Sequence, residues 1–280
     1  MLSYRHHFHA GNFADVMKHA VLTMLVQSLQ HKDKGFCYVD THAGAGRYDL
    51  QTSEAQKTLE YKTGIARLYD LQSVPKSVNG YLNVVRQLNN FTKLRFYPGS
   101  PRLVRSLLRP QDRMALLELH PTDVRLLAEE FANDKQVTVY HQDGYEGLKA
   151  YLPPAERRGL VLIDPAFELK TEWTSLVEGL KEGWQRWPTG MYALWYPIQE
   201  RVAVKRFYRQ LAQTGIPKIL ATELCIYPDD TAKNLNGSGM VIVNPPYQMD
   251  AQLRTMLRWL WESLAVDGQG GARVEWLAPE

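Results

Sequence analysis

The run Asp164-Pro165-Ala166-Phe167 holds residue types suited to activating a poor amine nucleophile. The exocyclic N6 of an adenine has its lone pair delocalised into the ring. It attacks well only when acceptors hold its two hydrogens and favour a pyramidal nitrogen. The Asp164 carboxylate and the Pro165 carbonyl can supply those acceptors, and the Phe167 ring offers a face on which an extruded base stacks. Three other motifs precede it. In Asp40-Thr41-His42-Ala43-Gly44-Ala45-Gly46, the bare backbone at Gly44 and Gly46 permits close approach of a ligand. Glu118 can accept both hydrogen bonds of a ribose diol, and Asp143, followed by Gly144, can accept from an adenine amino group. Singly, each has a plainer reading as a tight turn or a surface acid. Together and in this order they fit S-adenosylmethionine, whose sulfonium already activates the methyl group, so that positioning supplies much of the rate and no metal is needed.

Each motif follows a strand-like run. Strands are expected at Phe36–Asp40, Arg113–Leu117, Gln136–Tyr140, Gly159–Ile163, Gly190–Trp195, Lys218–Ile226 and Gly239–Val243. Helical patterns stand between them: one capped by Asn12 or Asp15 and running to about His31, then Pro101–Leu108, Thr122–Asn133, Tyr145–Tyr151, Glu172–Gln185 and Glu200–Thr214. This alternation predicts an α/β fold with a mostly parallel seven-stranded sheet, helices on both faces and an antiparallel edge made by the last two strands. In such a sheet a ligand sits beyond the carboxyl ends of the strands, where strand order reverses. Residues 47–97 are more polar, with helix-like patterns at Glu60–Leu71 and Gly80–Asn89, and read as an inserted helical subdomain.

The chain has 280 residues, 45% hydrophobic and 22% charged, enough for one large domain with a sizeable core. Cys37 and Cys225 each sit in a short apolar run and read as small core residues, which implies neither a disulfide framework nor a zinc knuckle. The start, MLSYRHHFHAGN, lacks the apolar stretch of a signal peptide, and nowhere do roughly 18 uninterrupted apolar residues occur. The expectation is a cytoplasmic protein with no membrane partner. A net charge of +3 and a pI near 8.7 permit a polyanionic partner without requiring one.

From end to end the sequence resembles the RlmJ-type 23S rRNA adenine-N6 methyltransferases, class I enzymes with a Rossmann-like sheet. The resemblance rests on Tyr4-Arg5-His6, His9-Ala10-Gly11-Asn12, Ala14-Asp15, Lys18-His19, the loop from Asp40 to Tyr48, Tyr97-Pro98-Gly99-Ser100-Pro101, Glu118-Leu119-His120-Pro121, Asp143-Gly144, Ile163-Asp164-Pro165, Ala193-Leu194-Trp195-Tyr196-Pro197 and Gly237-Ser238-Gly239-Met240. It implies one domain over 1–280, with residues 1–12 as an arm toward substrate and cofactor. It also implies cofactor contacts from Lys18, His19, His42, Ser100, Glu118, Asp143, Gly144 and Asp164, catalysis at Asp164, and substrate contacts from Tyr4, Arg5 and His6. The partner implied is 23S rRNA, naked or in an assembling large subunit, bound by a monomer. Without the resemblance, histidines 6, 7 and 9 read as an exposed polar arm and Lys18-His19 as an ordinary helix face. One departure is visible: the family carries Asp-Pro-Pro-Tyr where this chain has Ala166 and Phe167, which keeps the aromatic face and frees φ at residue 166.

Asn244-Pro245-Pro246-Tyr247 is a complete amine-binding motif in other methyltransferases, but here it follows the last strand and is expected to point away from the cofactor. Arg102, Arg105 and Arg109, and again Lys205, Arg206 and Arg209, recur at helical spacing and could meet phosphates or simply face solvent. The residues themselves do not separate RNA from DNA. Three rival readings therefore stand at this point: a DNA adenine methyltransferase or a protein serving the use of external DNA, a nucleic-acid-binding protein that has lost catalysis, and a protein-glutamine methyltransferase built on Asn244.

Overall fold

The computed structural model describes residues 5–228 and 235–279. After a short turn at His6–Phe8 comes helix α1, Phe13–Gln30, whose first turn is capped by Asn12 Oδ1 accepting from the Asp15 backbone N–H at 2.9 Å. Most of α1 is buried, because it packs on the sheet and is covered by three other helices. That is why its apolar spacing is only roughly periodic: a helix covered on several sides has no polar stripe.

Strand β1, Cys37–Asp40, follows, then β2, Arg47–Asp49. Helices α2, Ser53–Thr58, α3, Ala66–Tyr69, and α4, Lys76–Leu88, lead to β3, Phe96–Pro98, which pairs antiparallel with β2 in a separate two-stranded sheet. The excursion between Arg47 and Pro98 thus leaves and rejoins the main fold at one place. Its longest helix, α4, lies against α1.

The chain then alternates through α5, Ser100–Arg105, β4, Arg113–Glu118, α6, Pro121–Glu130, β5, Val137–His141, α7, Gly144–Tyr151, and β6, Gly159–Ile163. It continues with α8, Glu172–Arg186, β7, Met191–Ile198, α9, Arg201–Gln213, β8, Ile219–Cys225, β9, Gly237–Val243, α10, Met249–Leu264, and β10, Gly271–Ala278. The main sheet has the order β10-β8-β9-β7-β6-β1-β4-β5. From β5 to β7 all neighbours are parallel, whereas β9 is antiparallel to both β7 and β8, and β10 is antiparallel to β8.

All seven expected strands are present in one α/β sheet. Two features differ from expectation. An eighth strand, β10, adds an outer edge beyond β8; its half-exposed, charge-bearing sequence and glycine-rich approach gave no buried-strand signal. And β9 is an interior strand between β7 and β8, not an edge. Strands β1, β6, β8 and β9 are buried throughout because helices cover both faces, giving two hydrophobic clusters, one on each side of the sheet. Cys37 and Cys225 are buried residues of this core.

Because chain order runs outward from β1 through β4 to β5 and then returns to β6 on the other side of β1, strand order reverses at β1. The carboxyl ends of β1 and β6 frame the crevice there. Asn244, at the end of antiparallel β9, lies at the opposite end of the sheet. Its Nδ2 donates to the carbonyls of Pro188 and Gly190, at 2.8 and 2.7 Å, where β7 begins. With φ +55° it forms a turn that ties two strands together. Asn244→Ala should therefore cost about 2 kcal/mol of stability, measured by urea unfolding, without altering ligand affinity at the other end of the sheet.

Candidate active site

The carboxyl ends of the parallel strands open into a cavity of ≈ 600 Å³, walled on its other sides by α1, the start of α5 and the turn before α1. Gly44 has φ +62°, and a Cβ there would stand 2.5 Å from the Tyr48 hydroxyl, so the loop after β1 requires glycine at this point. The Gly44 N–H donates to Glu118 Oε2 at 2.7 Å and the His120 N–H donates to Oε1 at 2.7 Å. Glu118 is thus pinned by backbone at both oxygens. Burial raises its pKa, with those two amides opposing the shift.

Beyond β5, Asp143 Oδ1 caps α7 by accepting from the N–H groups of Tyr145 and Glu146, at 2.9 and 3.0 Å. Gly144 is packed so tightly that a Cβ would meet the Thr41 carbonyl at 2.1 Å. In the loop after β1, Thr41 Oγ1 donates to the Leu162 carbonyl at 3.0 Å. With its one proton used, Thr41 must accept from His42 Nδ1, 2.8 Å away, and His42 Nε2 is left as an acceptor. Burial pushes the His42 imidazole down to about 4.

The cavity wall nearest α1 is ionic. Lys18 Nζ lies 2.6 Å from Asp164 Oδ2 and 3.0 Å from Asp15 Oδ1. Asp15 Oδ2 in turn bonds His6 Nε2 at 2.8 Å and accepts the Gly11 N–H at 2.9 Å. Burial alone would raise the Asp15 pKa, but His6 and Lys18 overcome it and hold the carboxyl well below its usual range. Burial would lower the Lys18 pKa, yet the two carboxylates raise it, so the ammonium stays charged. Next to it, His19 is buried and neutral, its imidazole pushed down to about 3 by burial. Asp40, at the end of β1, accepts from Tyr38 and from Ser100 Oγ, both at 2.7 Å, and burial pushes it up to about 6.

Facing these groups, Phe167 sits edge-on to Trp173 at 4.9 Å and to Trp195 at 5.8 Å between ring centroids. Its φ of +53° is strained for a residue with a bulky side chain, and the two indoles hold it there. Asp164, Pro165 and Phe167 therefore line the same cavity as the Glu118 and Asp143 carboxylates.

Residues 33–278 match the family described as ribosomal RNA large subunit methyltransferase D, RlmJ. The chain belongs to this family. It is 49% identical over 280 residues to the ribosomal RNA large subunit methyltransferase J of Escherichia coli (strain K12), and 48% identical over 281 residues to the protein of the same name from Haemophilus influenzae, in each case over 100% of both chains. A crystal structure of a Legionella pneumophila protein superimposes with a TM-score of 0.88 at 37% identity, covering 95% of this chain and 98% of that one. A probable spermidine synthase from Corynebacterium glutamicum shares the fold alone, with a TM-score of 0.50 at 12% identity over 94% of this chain and 75% of that one. The protein is thus an enzyme of a methyltransferase family with the Rossmann-like sheet.

In this methyltransferase, Lys18, His19, His42, Gly44, Ser100, Glu118, Asp143, Gly144, Asp164, Pro165 and Phe167 all line the one cavity, as does His6. Arg5 stands apart, 3.8 Å from Asp123, and Tyr4 lies outside the described residues. The plainer readings fail for Lys18 and His19, which are 5% and 1% exposed, and for His6 and His9, which are part-buried against Asp15 and Glu60. Helix α5 ends at Arg105, and the three part-exposed arginines of the first cluster each pair with an acid of this chain: Arg102 with Glu130, Arg105 with Asp134, and Arg109 with Asp112. Lys205, Arg206 and Arg209 are exposed on α9. Sequence reading missed Tyr38, Asp40, Tyr97, Trp173 and Trp195 as site-shaping residues. Only the period-2 spacing of Tyr38 and Asp40, which sets both on one face of β1, could have signalled any of them.

Neutral buried histidines take up protons in the unfolded chain first, below about pH 6.5, so their contribution to stability is lost as pH falls toward the folded values. Asp40, raised to about 6, acts in the opposite sense between about pH 6 and 4 and cancels roughly one histidine. The test is therefore a contrast: His42→Gln should make the acid limb of urea stability, from about pH 6.5 to 4, shallower than wild type by up to about 1.4 kcal/mol per pH unit.

Proposed function

We propose that this enzyme transfers a methyl group from S-adenosylmethionine to the N6 of a specific adenine in 23S rRNA. The observation that carries this reading is that Asp164, Pro165 and Phe167 line one cavity together with the backbone-pinned acidic side chains of Glu118 and Asp143. The names of the two full-length relatives supply the RNA.

The residues fit the cofactor. Glu118 keeps lone pairs for ribose hydroxyls after its two backbone bonds, and Asp143 keeps Oδ2 for an adenine amine. Gly44 and Gly144 leave backbone open to approach, and His42 Nε2 accepts a hydrogen bond. Lys18, His19, Ser100 and Asp164 meet the amino-acid end, where the buried His19 Nε2 has no partner among the described residues. Bound, the cofactor supplies a methyl group already activated by its sulfonium.

The chain's own work is to hold the amine. Lys18 occupies Asp164 Oδ2 and fixes the carboxylate plane, so Oδ1 and the Pro165 carbonyl accept the two N6 hydrogens while Phe167 stacks on the extruded base. Residues 1–12, with Tyr4, Arg5 and His6, and the inserted segment 47–97 grip the RNA, and the exposed cations of α9 lie ready for phosphates. The enzyme acts as a cytoplasmic monomer, without a metal, on naked RNA or an assembling particle.

The test is transfer of labelled methyl groups to protein-free 23S rRNA, with duplex DNA in parallel and mass spectrometry of the digested product. N6-methyladenine in the RNA alone is expected; label in DNA would overturn the choice of substrate. Asp164→Ala should keep the fold and lower kcat by about 10²–10⁴-fold. Phe167→Leu should raise KM for RNA about tenfold, from lost stacking, with a smaller effect on kcat.

A further inference from the structure

Three buried groups connect the inserted segment to the cavity. Tyr81, on α4, places its hydroxyl 3.0 Å from that of Tyr97, on β3, and the Tyr97 hydroxyl lies 2.8 Å from His19 Nδ1 on α1. Tyr81 and Tyr97 are 0% exposed and His19 is 1% exposed, and the His19 and Tyr97 rings stack with centroids 5.5 Å apart. The proton count sets the direction of this chain. Among the described residues Tyr97 is the one partner of the Tyr81 hydroxyl, so the Tyr81 proton goes to Tyr97. Sending it the other way would leave a buried O–H unmade. Tyr97 then has its own proton left for His19 Nδ1. An imidazole that accepts at Nδ1 carries its proton at Nε2.

We propose that Tyr97 and Tyr81 are positioning residues that fix His19 as the Nε2–H tautomer and make it a neutral donor for the carboxylate at the amino-acid end of the cofactor. This rests on the cofactor reading above. His19 Nε2 is the atom with no partner among the described residues, on a side chain that lines the cavity. A donor there suits an acceptor. Of the other groups at this end, the Asp164 carboxylate suits the cofactor's ammonium and repels its carboxylate, and the Lys18 ammonium is already held between Asp15 and Asp164. Burial keeps the imidazole neutral, and the deeply buried tyrosines keep their protons, so the tautomer persists across the physiological range. The consequence is that a segment outside the main sheet sets cofactor affinity without touching the cofactor.

Histidine-labelled full-length protein, read by long-range proton–nitrogen correlation, reports the tautomer directly. His19 should show an unprotonated Nδ1 and a protonated Nε2, and the opposite pattern overturns the proposal whether or not the cofactor reading holds. Binding then supplies a second readout. Tyr97→Phe should weaken S-adenosylmethionine about tenfold and leave decarboxylated S-adenosylmethionine unchanged, because only the former carries the carboxylate. Tyr81→Phe, which leaves the hydroxyl that touches His19 in place, should populate both tautomers and weaken binding less. Equal losses for both ligands would reduce the tyrosines to packing and overturn the inference. A wild-type enzyme that shows the expected tautomer but binds neither ligand would instead overturn the cofactor reading.

Discussion

A single ammonium group, Lys18 Nζ, sits between two carboxylates from distant parts of the chain, and the geometry of the site depends on it. Asp15, Lys18 and Asp164 side chains are 2%, 7% and 12% exposed, so each charge has lost most of its water. Effective desolvation penalties are several kcal/mol per ion, offset only where geometry is good and remaining polar atoms are bonded. Both conditions hold: the distances are 2.6 and 3.0 Å, and Asp15 also accepts from the Gly11 backbone and pairs with His6. The turn before α1, the helix itself and the end of β6 are locked together as a result. Removing Lys18 would leave two carboxylates buried without their shared cation, whereas removing Asp164 leaves Lys18 paired with Asp15.

Around that lock, the parallel sheet delivers the remaining groups to one place. Loops after β1, β4, β5 and β6 open at the same end because parallel strands share their direction. Two acidic side chains on those loops are held by backbone: Glu118 by Gly44 and His120, Asp143 by the first turn of α7. A carboxylate held in this way needs no reorganisation when a ligand arrives, which is how positioning alone can accelerate a reaction whose methyl donor is already activated. The strained backbone at Phe167 fits the same logic, since its ring lines the cavity in edge contact with two indoles.

Charge has been divided between folding and surface. Arg102, Arg105 and Arg109 neutralise acids on neighbouring elements, and Arg109 also donates to carbonyls at the end of α1. Arg95 pairs with Asp49 across the β2–β3 hairpin. With these cations engaged internally, the exposed basic residues of α9 stand out on a chain whose net charge is only +3.

The strands and the motifs that end them were legible in the sequence, because apolar runs and small-residue turns act over a handful of neighbouring residues. The order of the small-residue loop, Glu118, Asp143 and Asp164 along those strands follows from the same local signals, and so does the dismissal of Asn244, since a strand that reverses direction carries its end to the far side. The edge strand β10 was not legible, being half-exposed and polar. Nor were the pairings that give the site its character. Lys18 and Asp164 are 146 residues apart, His19 and Tyr97 are 78 apart, and the arginines of the α5 region reach acids on other elements. The sequence by itself determined which groups are available and at which strand ends they stand. Only the tertiary structure decided which become buried, charged, neutral or confined to one tautomer, because those properties depend on distance and loss of water between parts of the chain that share no local pattern.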